Sequence, residues 1–119
     1  MKLLDSIYTI KETADSAFII GLDAEHFIYK AHFPGEPITP GVVILQISLE
    51  LLEILTGRDL QLSQVKNVKF LKIISPTDIP FLTYSYSKVI EENGEVRAQV
   101  VVSSEQDIFA KLSISCRIL

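Results

Sequence analysis

Cysteine occurs once in these 119 residues. A single thiol, Cys116, closes no internal disulfide and builds no metal cluster, so the chain reads as a protein of a reducing, cytoplasmic setting. Histidine occurs only at His26 and His32, loosely spaced and without a converging set of acids, so neither a metal nor a cofactor is expected. Basic runs and aromatic–basic interleaving are missing. With a net charge of −4 and a pI of about 5.1, nucleic-acid binding has no support. Long apolar runs are also missing. The longest, Val42 to Leu55, is broken by Gln46, Ser48, Glu50 and Glu53. It is shorter than the roughly 20 residues a membrane span needs. The opening Met1-Lys2-Leu3-Leu4-Asp5 is charged too soon for a secretion signal, so none is expected. No repeat, linker or low-complexity stretch divides the chain, which reads as one domain over 1–119.

Apolar residues, by contrast, are plentiful. They make up 48% of the chain and the mean hydropathy is +0.33. So small a domain has much surface per unit volume, and the excess predicts burial of apolar surface against another subunit. Proline and glycine are scarce, with five of each, yet three prolines and two glycines crowd into His32-Phe33-Pro34-Gly35-Glu36-Pro37-Ile38-Thr39-Pro40-Gly41. Such a loop is held in one shape and lets backbone approach a ligand closely. It carries an imidazole that can move protons near neutral pH. It runs into Val42-Val43-Ile44-Leu45, the start of a helix whose first N–H groups have no helical partner and can bind an oxygen gaining charge.

That helix is predicted from Gly41 or Val42 to Thr56, ending at Gly57 as a left-handed cap. It is apolar nearly all round, with Gln46, Glu50 and Glu53 forming one polar stripe at i, i+4 and i+7. The stripe reads as a solvated or subunit-facing edge. Ser16–Leu22 reads as a strand, Leu3–Ile10 as a short strand or helical turn, and His26–Lys30 as a short strand or turn. Four further strands are predicted: Val65–Ile74, Phe81–Val89, Val96–Ser104 and Ile108–Ile118. Glu92-Asn93-Gly94 marks a hairpin turn, and Ser104-Glu105-Gln106-Asp107 marks another. Strands, one long helix and then a meander make an α+β order. Lys66, Lys69 and Lys72 are the densest basic cluster, and their spacing of three predicts Lys69 on the opposite strand face from the other two.

The pattern H-F-P-G-x-P-[apolar]-x-P-G-V followed by three apolar residues resembles the active-site segment of the 3-hydroxyacyl-[acyl-carrier-protein] dehydratases of the hotdog fold. A second stretch, Val68 to Asp78, is similar to that family's strand-then-Pro-Gly-Asp segment, with Thr77 where glycine is usual. The resemblance implies an antiparallel sheet wrapped around one central helix. It implies action on acyl thioesters of a carrier protein or coenzyme A, in fatty-acid or related lipid synthesis. It implies a homodimer, or an oligomer of such dimers, in which each site draws on both chains. His32 would work on the C2 proton, and the N–H at Gly41, with Val42, would hold the thioester oxygen. Phe33, Val43, Ile44 and Ile47 would line the acyl tunnel.

At one position the chain departs from the pattern. The family's second catalytic group is a carboxylate one to two turns into the helix, and here that position holds Gln46. An amide does not titrate and cannot protonate a leaving hydroxide. A carboxylate does occur one turn later, at Glu50, where the family commonly has glutamine. Acid and amide look exchanged along the stripe, about 5.4 Å apart. The departure leaves three expectations open: a dehydratase, a thioesterase using Glu50 and a water held by Gln46, or a non-catalytic acyl-binding subunit.

Overall fold

The computed structural model describes residues 2–31 and 35–119. The described strands are β1 (Tyr8–Thr13), β2 (Ala17–Leu22), β3 (Leu60–Phe70), β4 (Phe81–Glu92), β5 (Glu95–Ser103) and β6 (Ile108–Ile118). They form one antiparallel sheet in the order β1-β2-β4-β5-β6-β3. Helices α1 (Phe27–Ala31) and α2 (Gly41–Thr56) fall between β2 and β3. The chain therefore crosses the whole sheet between those strands, and α2 packs on its inner face. This is the hotdog architecture that the resemblance implied.

Alternation decides which strand residues meet the helix. On β5, Val96, Ala98, Val100 and Val102 are buried while Glu95, Arg97 and Gln99 are exposed. From β4, Leu82, Tyr84 and Tyr86 point inward, and from α2 so do Val43, Ile44, Ile47, Leu51 and Leu52. Burying each aliphatic side chain contributes about 1.5–3 kcal/mol. Two tyrosines also tie helix to sheet. Tyr84 Oη donates to Ile44 O at 3.2 Å, and Tyr86 Oη donates to Ser48 O at 2.5 Å.

Several boundaries differ from the sequence reading. The predicted Val65–Ile74 strand starts five residues earlier, at Leu60, and stops at Phe70. Two bulges, between Leu62 and Gln64 and between Val65 and Asn67, break the alternation that would have revealed its first half. The second bulge also corrects the lysine prediction. Lys66 lines a hollow with Arg97 and Ser115, and Lys69 pairs across from Lys111, so both stand on the outer face of the sheet. Lys72 lies beyond the strand, in an ion pair with Asp107. His26–Lys30 is not a strand: Phe27–Ala31 is a short helix. His26 Nδ1 accepts from Ile28 N at its start, which makes Nε2 the protonated nitrogen, and that N–H donates to Ser6 Oγ at 2.8 Å. The Asn93-Gly94 turn is as predicted, with φ of 53° and 76°.

Candidate active site

The site is built around the first two turns of α2. Pro40 stands at the N-cap with φ −63° and ψ 147° and offers no side-chain acceptor. Helical bonding begins with Val43 N to Pro40 O at 3.0 Å, which places the N–H groups of Gly41 and Val42 ahead of the first intrahelical bond. The segment entering the helix is pinned from below. Thr39 N donates to Ile74 O at 2.8 Å, and the hydroxyls of Thr39 and Tyr29 are hydrogen-bonded to each other at 2.9 Å. An open groove of about 580 Å³ lies at this helix end, walled by Ile38, Gly41, Ile44, Phe70 and the segment from Leu71 to Ile74. The helix dipole adds partial positive charge at the same end.

The polar stripe leads elsewhere. Glu50 is buried, 3% exposed, and its carboxylate accepts four hydrogen bonds. Leu3 N reaches Oε2 at 2.8 Å, Leu4 N reaches Oε1 at 2.9 Å, Tyr8 Oη reaches Oε1 at 3.0 Å, and Gln46 Nε2 reaches Oε2 at 2.9 Å. Burial and the charge of Glu50 push the Tyr8 phenol far up, so it is held as a donor. Glu53 behaves alike, its Oε2 accepting from Leu60 N at 2.9 Å at the start of β3. The stripe read as a solvated or subunit-facing edge is in fact turned, from Glu50 onward, against the chain's own backbone.

Gln46 is half-buried. An ionised carboxylate only accepts, so the contact with Glu50 fixes the NH2 of Gln46 toward it and turns the amide oxygen away. Gln46 also lies about 200° round the helix from Ile44, on the opposite side from the groove. Of the other residues singled out in the sequence, Gly41 lines the groove, Val42 is 70% exposed, and Val43 and Ile47 are packed in the core. His32 and Phe33 lie outside the described residues. Among the described residues no group of three His, Cys, Asp or Glu side chains converges to hold a metal ion, and no helix is long and apolar enough to cross a membrane. Phe70 is the site residue that sequence reasoning passed over. Its contact with Gly41 joins two segments far apart in the chain.

The sheet order and the helix packed on its inner face define a protein of the hotdog fold. Residues 9–112 match the model of the ApeI-like family, described as ApeI dehydratase, and the chain belongs to that family. It is 25% identical over 120 residues to the 3-hydroxyacyl-[acyl-carrier-protein] dehydratase FabZ of Latilactobacillus sakei, covering 95% of this chain and 86% of the relative. Among solved structures it resembles a hypothetical thioesterase with coenzyme A from Streptococcus pneumoniae TIGR4, with TM-score 0.66, 13% identity, and 94% and 85% of the two chains covered. It also resembles the dehydratase heterocomplex ApeI:P from Xenorhabdus doucetiae, with TM-score 0.60, 17% identity, and 91% and 93% covered.

Proposed function

We propose that this protein binds acyl thioesters and acts as a 3-hydroxyacyl-[acyl-carrier-protein] dehydratase-type protein. The observation that carries the reading is the uncapped start of α2 opening into an apolar groove. A thioester oxygen accepting from the N–H of Gly41 and Val42 would be stabilised as it takes on enolate character, while the acyl group lies against Ile38 and Ile44. His32, at the head of the loop, is the proposed base for the C2 proton, a role that rests on the resemblance.

The same reading includes a homodimer, or an oligomer of dimers. Groove and Gln46 stand on opposite sides of α2, so one chain's helix start needs a second chain's stripe to complete a site. The eleven-residue edge strand β3, with Val68 and Phe70 exposed and Leu71 exposed just beyond its end, is the proposed seam. Gln46 then meets the substrate's 3-hydroxyl as a hydrogen-bonding partner. Glu50 acts through it as a positioning residue.

A second reading is supported by the engagement of Glu50. All four of its bonds hold the fold together, which suits an acyl-binding subunit whose proton donor comes from a different hotdog chain. One of the similar structures is described as a dehydratase heterocomplex, so a two-chain arrangement has a counterpart of the same fold. The test is to incubate the protein with 3-hydroxyacyl and plain acyl thioesters, on carrier protein and on coenzyme A, and to follow alkene formation and thiol release. Alkene formation supports the dehydratase. Thiol release points to the thioesterase. Binding with neither supports the subunit.

A further inference from the structure

Gly41 is glycine for space, not for backbone freedom. It begins α2 in ordinary helical conformation, and its φ is not positive. A Cβ built there would stand 2.9 Å from Phe70 Cζ and 3.1 Å from Phe70 Cε2, closer than side-chain atoms pack. A helical Cα–Cβ bond tilts toward the N-terminus, so the ring lies on the rim of the helix start. Phe70 is held there by its backbone: it pairs with Ala110, and Leu71 N donates to Phe109 O at 2.8 Å. Its side chain is nonetheless 52% exposed and lines the groove. The ring occupies the space that a side chain at position 41 would need, and it clears that space only by turning about its own side-chain bonds.

We propose that Phe70 sets the acyl specificity of this groove, admitting acyl groups unbranched at C2 and excluding those with a C2 methyl. The proposal rests on the thioester-binding reading above. An oxygen bonded to a helix N–H sits about 2.9 Å from the nitrogen. The acyl C2 is two bonds from that oxygen, within contact range of a ring already seated on Gly41. An added methyl must turn the ring aside, because the backbone that carries it is paired to β6 and does not move away. Apolar pockets discriminate single methyl-sized changes by about 10–200-fold.

The experiment uses ketone analogues of hexanoyl and 2-methylhexanoyl thioesters in which a methylene replaces the sulfur, so nothing is hydrolysed. They are titrated calorimetrically as coenzyme A derivatives and again loaded on an acyl carrier protein. The native protein is expected to prefer the straight chain by about tenfold or more. Phe70→Ala should narrow that ratio to about threefold or less while still binding the straight chain. Gly41→Ala should weaken both analogues, and Gly41→Ala with Phe70→Ala should recover the straight chain, which a general loss of stability would not do. Equal ratios in native protein and Phe70→Ala, or no preference in the native protein, would overturn the assignment and leave the thioester reading standing. No binding of either analogue in either form would overturn both.

Discussion

Gln46 donates Nε2–H to Glu50 Oε2 at 2.9 Å, one helical turn along α2, and the same carboxylate receives the backbone N–H groups of Leu3 and Leu4. Amide and acid form one unit, and the unit includes Leu3 and Leu4.

Glu50→Gln should therefore destabilise the fold. A neutral amide keeps one accepting oxygen and turns an NH2 toward donors that need an acceptor. Hydrogen bonds to charged groups contribute about 1.5–3 kcal/mol each, so a loss of about 3 kcal/mol is expected. Urea unfolding checks it. A midpoint equal to the native one would mean that the four contacts hold nothing together.

Gln46→Glu should raise dehydration by about 10²–10⁴-fold, because a positioned general acid returns where the resembling family has one. It should also set two carboxyls side by side. Such a pair holds one proton, with one apparent pKa pushed above the ordinary carboxylate value of about 4.3. A raised folded pKa gives stability that is present below the unfolded value and lost as pH climbs through the folded one. The variant should match the native protein best near pH 4 to 5 and fall behind toward pH 8. Unchanged alkene formation, measured at several pH values, would count against the lost-acid account.

Burial, with the charge of Glu53 adding to it, pushes the Cys116 thiol up to about 11 from an ordinary value near 9. The folded state disfavours the thiolate, so its contribution to stability is full below pH 9 and drains away as pH rises toward 11. The cost is at most about 3 kcal/mol. Cys116→Ser should flatten the fall in melting temperature across that window. In the native protein, a thiol reagent at pH 8 should label Cys116 only as fast as the fold opens. Rapid labelling of fully folded protein would contradict the placement.

Val68→Glu tests the proposed seam. Val68 is 39% exposed on the edge strand β3, between Asn67 and Lys69. A charge there should split a dimer joined along β3 and leave a folded monomer, visible by sedimentation with unchanged circular dichroism. A variant that stays dimeric at micromolar concentration would move the interface elsewhere.

Much of this fold was legible in the chain. Gly41 and Gly57 bracket α2, Asn93-Gly94 turns β4 into β5, and alternation from Leu112 to Ile118 marks β6, since each signal is local. The first half of β3 was hidden by bulges that disturb its period. Helix α1, five residues long, is too short to show a period at all. For the site, the loop and the polar stripe could be seen, but the stripe's destination could not. Glu50 bonds to backbone N–H groups of Leu3 and Leu4, and every residue type but proline carries those. The Gly41–Phe70 contact was equally silent, because both residues have ordinary local reasons to be where they are.

Sharing of Glu50 between Gln46 and the N-terminal backbone also restricts how such a chain can change by single steps. On the order that the resemblance implies, acid and amide would have traded places. Passing between the two orders one substitution at a time goes through either two acids, which must share a proton, or two amides, which leave the donors of Leu3, Leu4 and Tyr8 under-satisfied. Both intermediates are penalised, so the two arrangements behave as separate basins with a barrier between them. Returning the charge toward the substrate would strand the N-terminal turn, which makes the exchange self-locking.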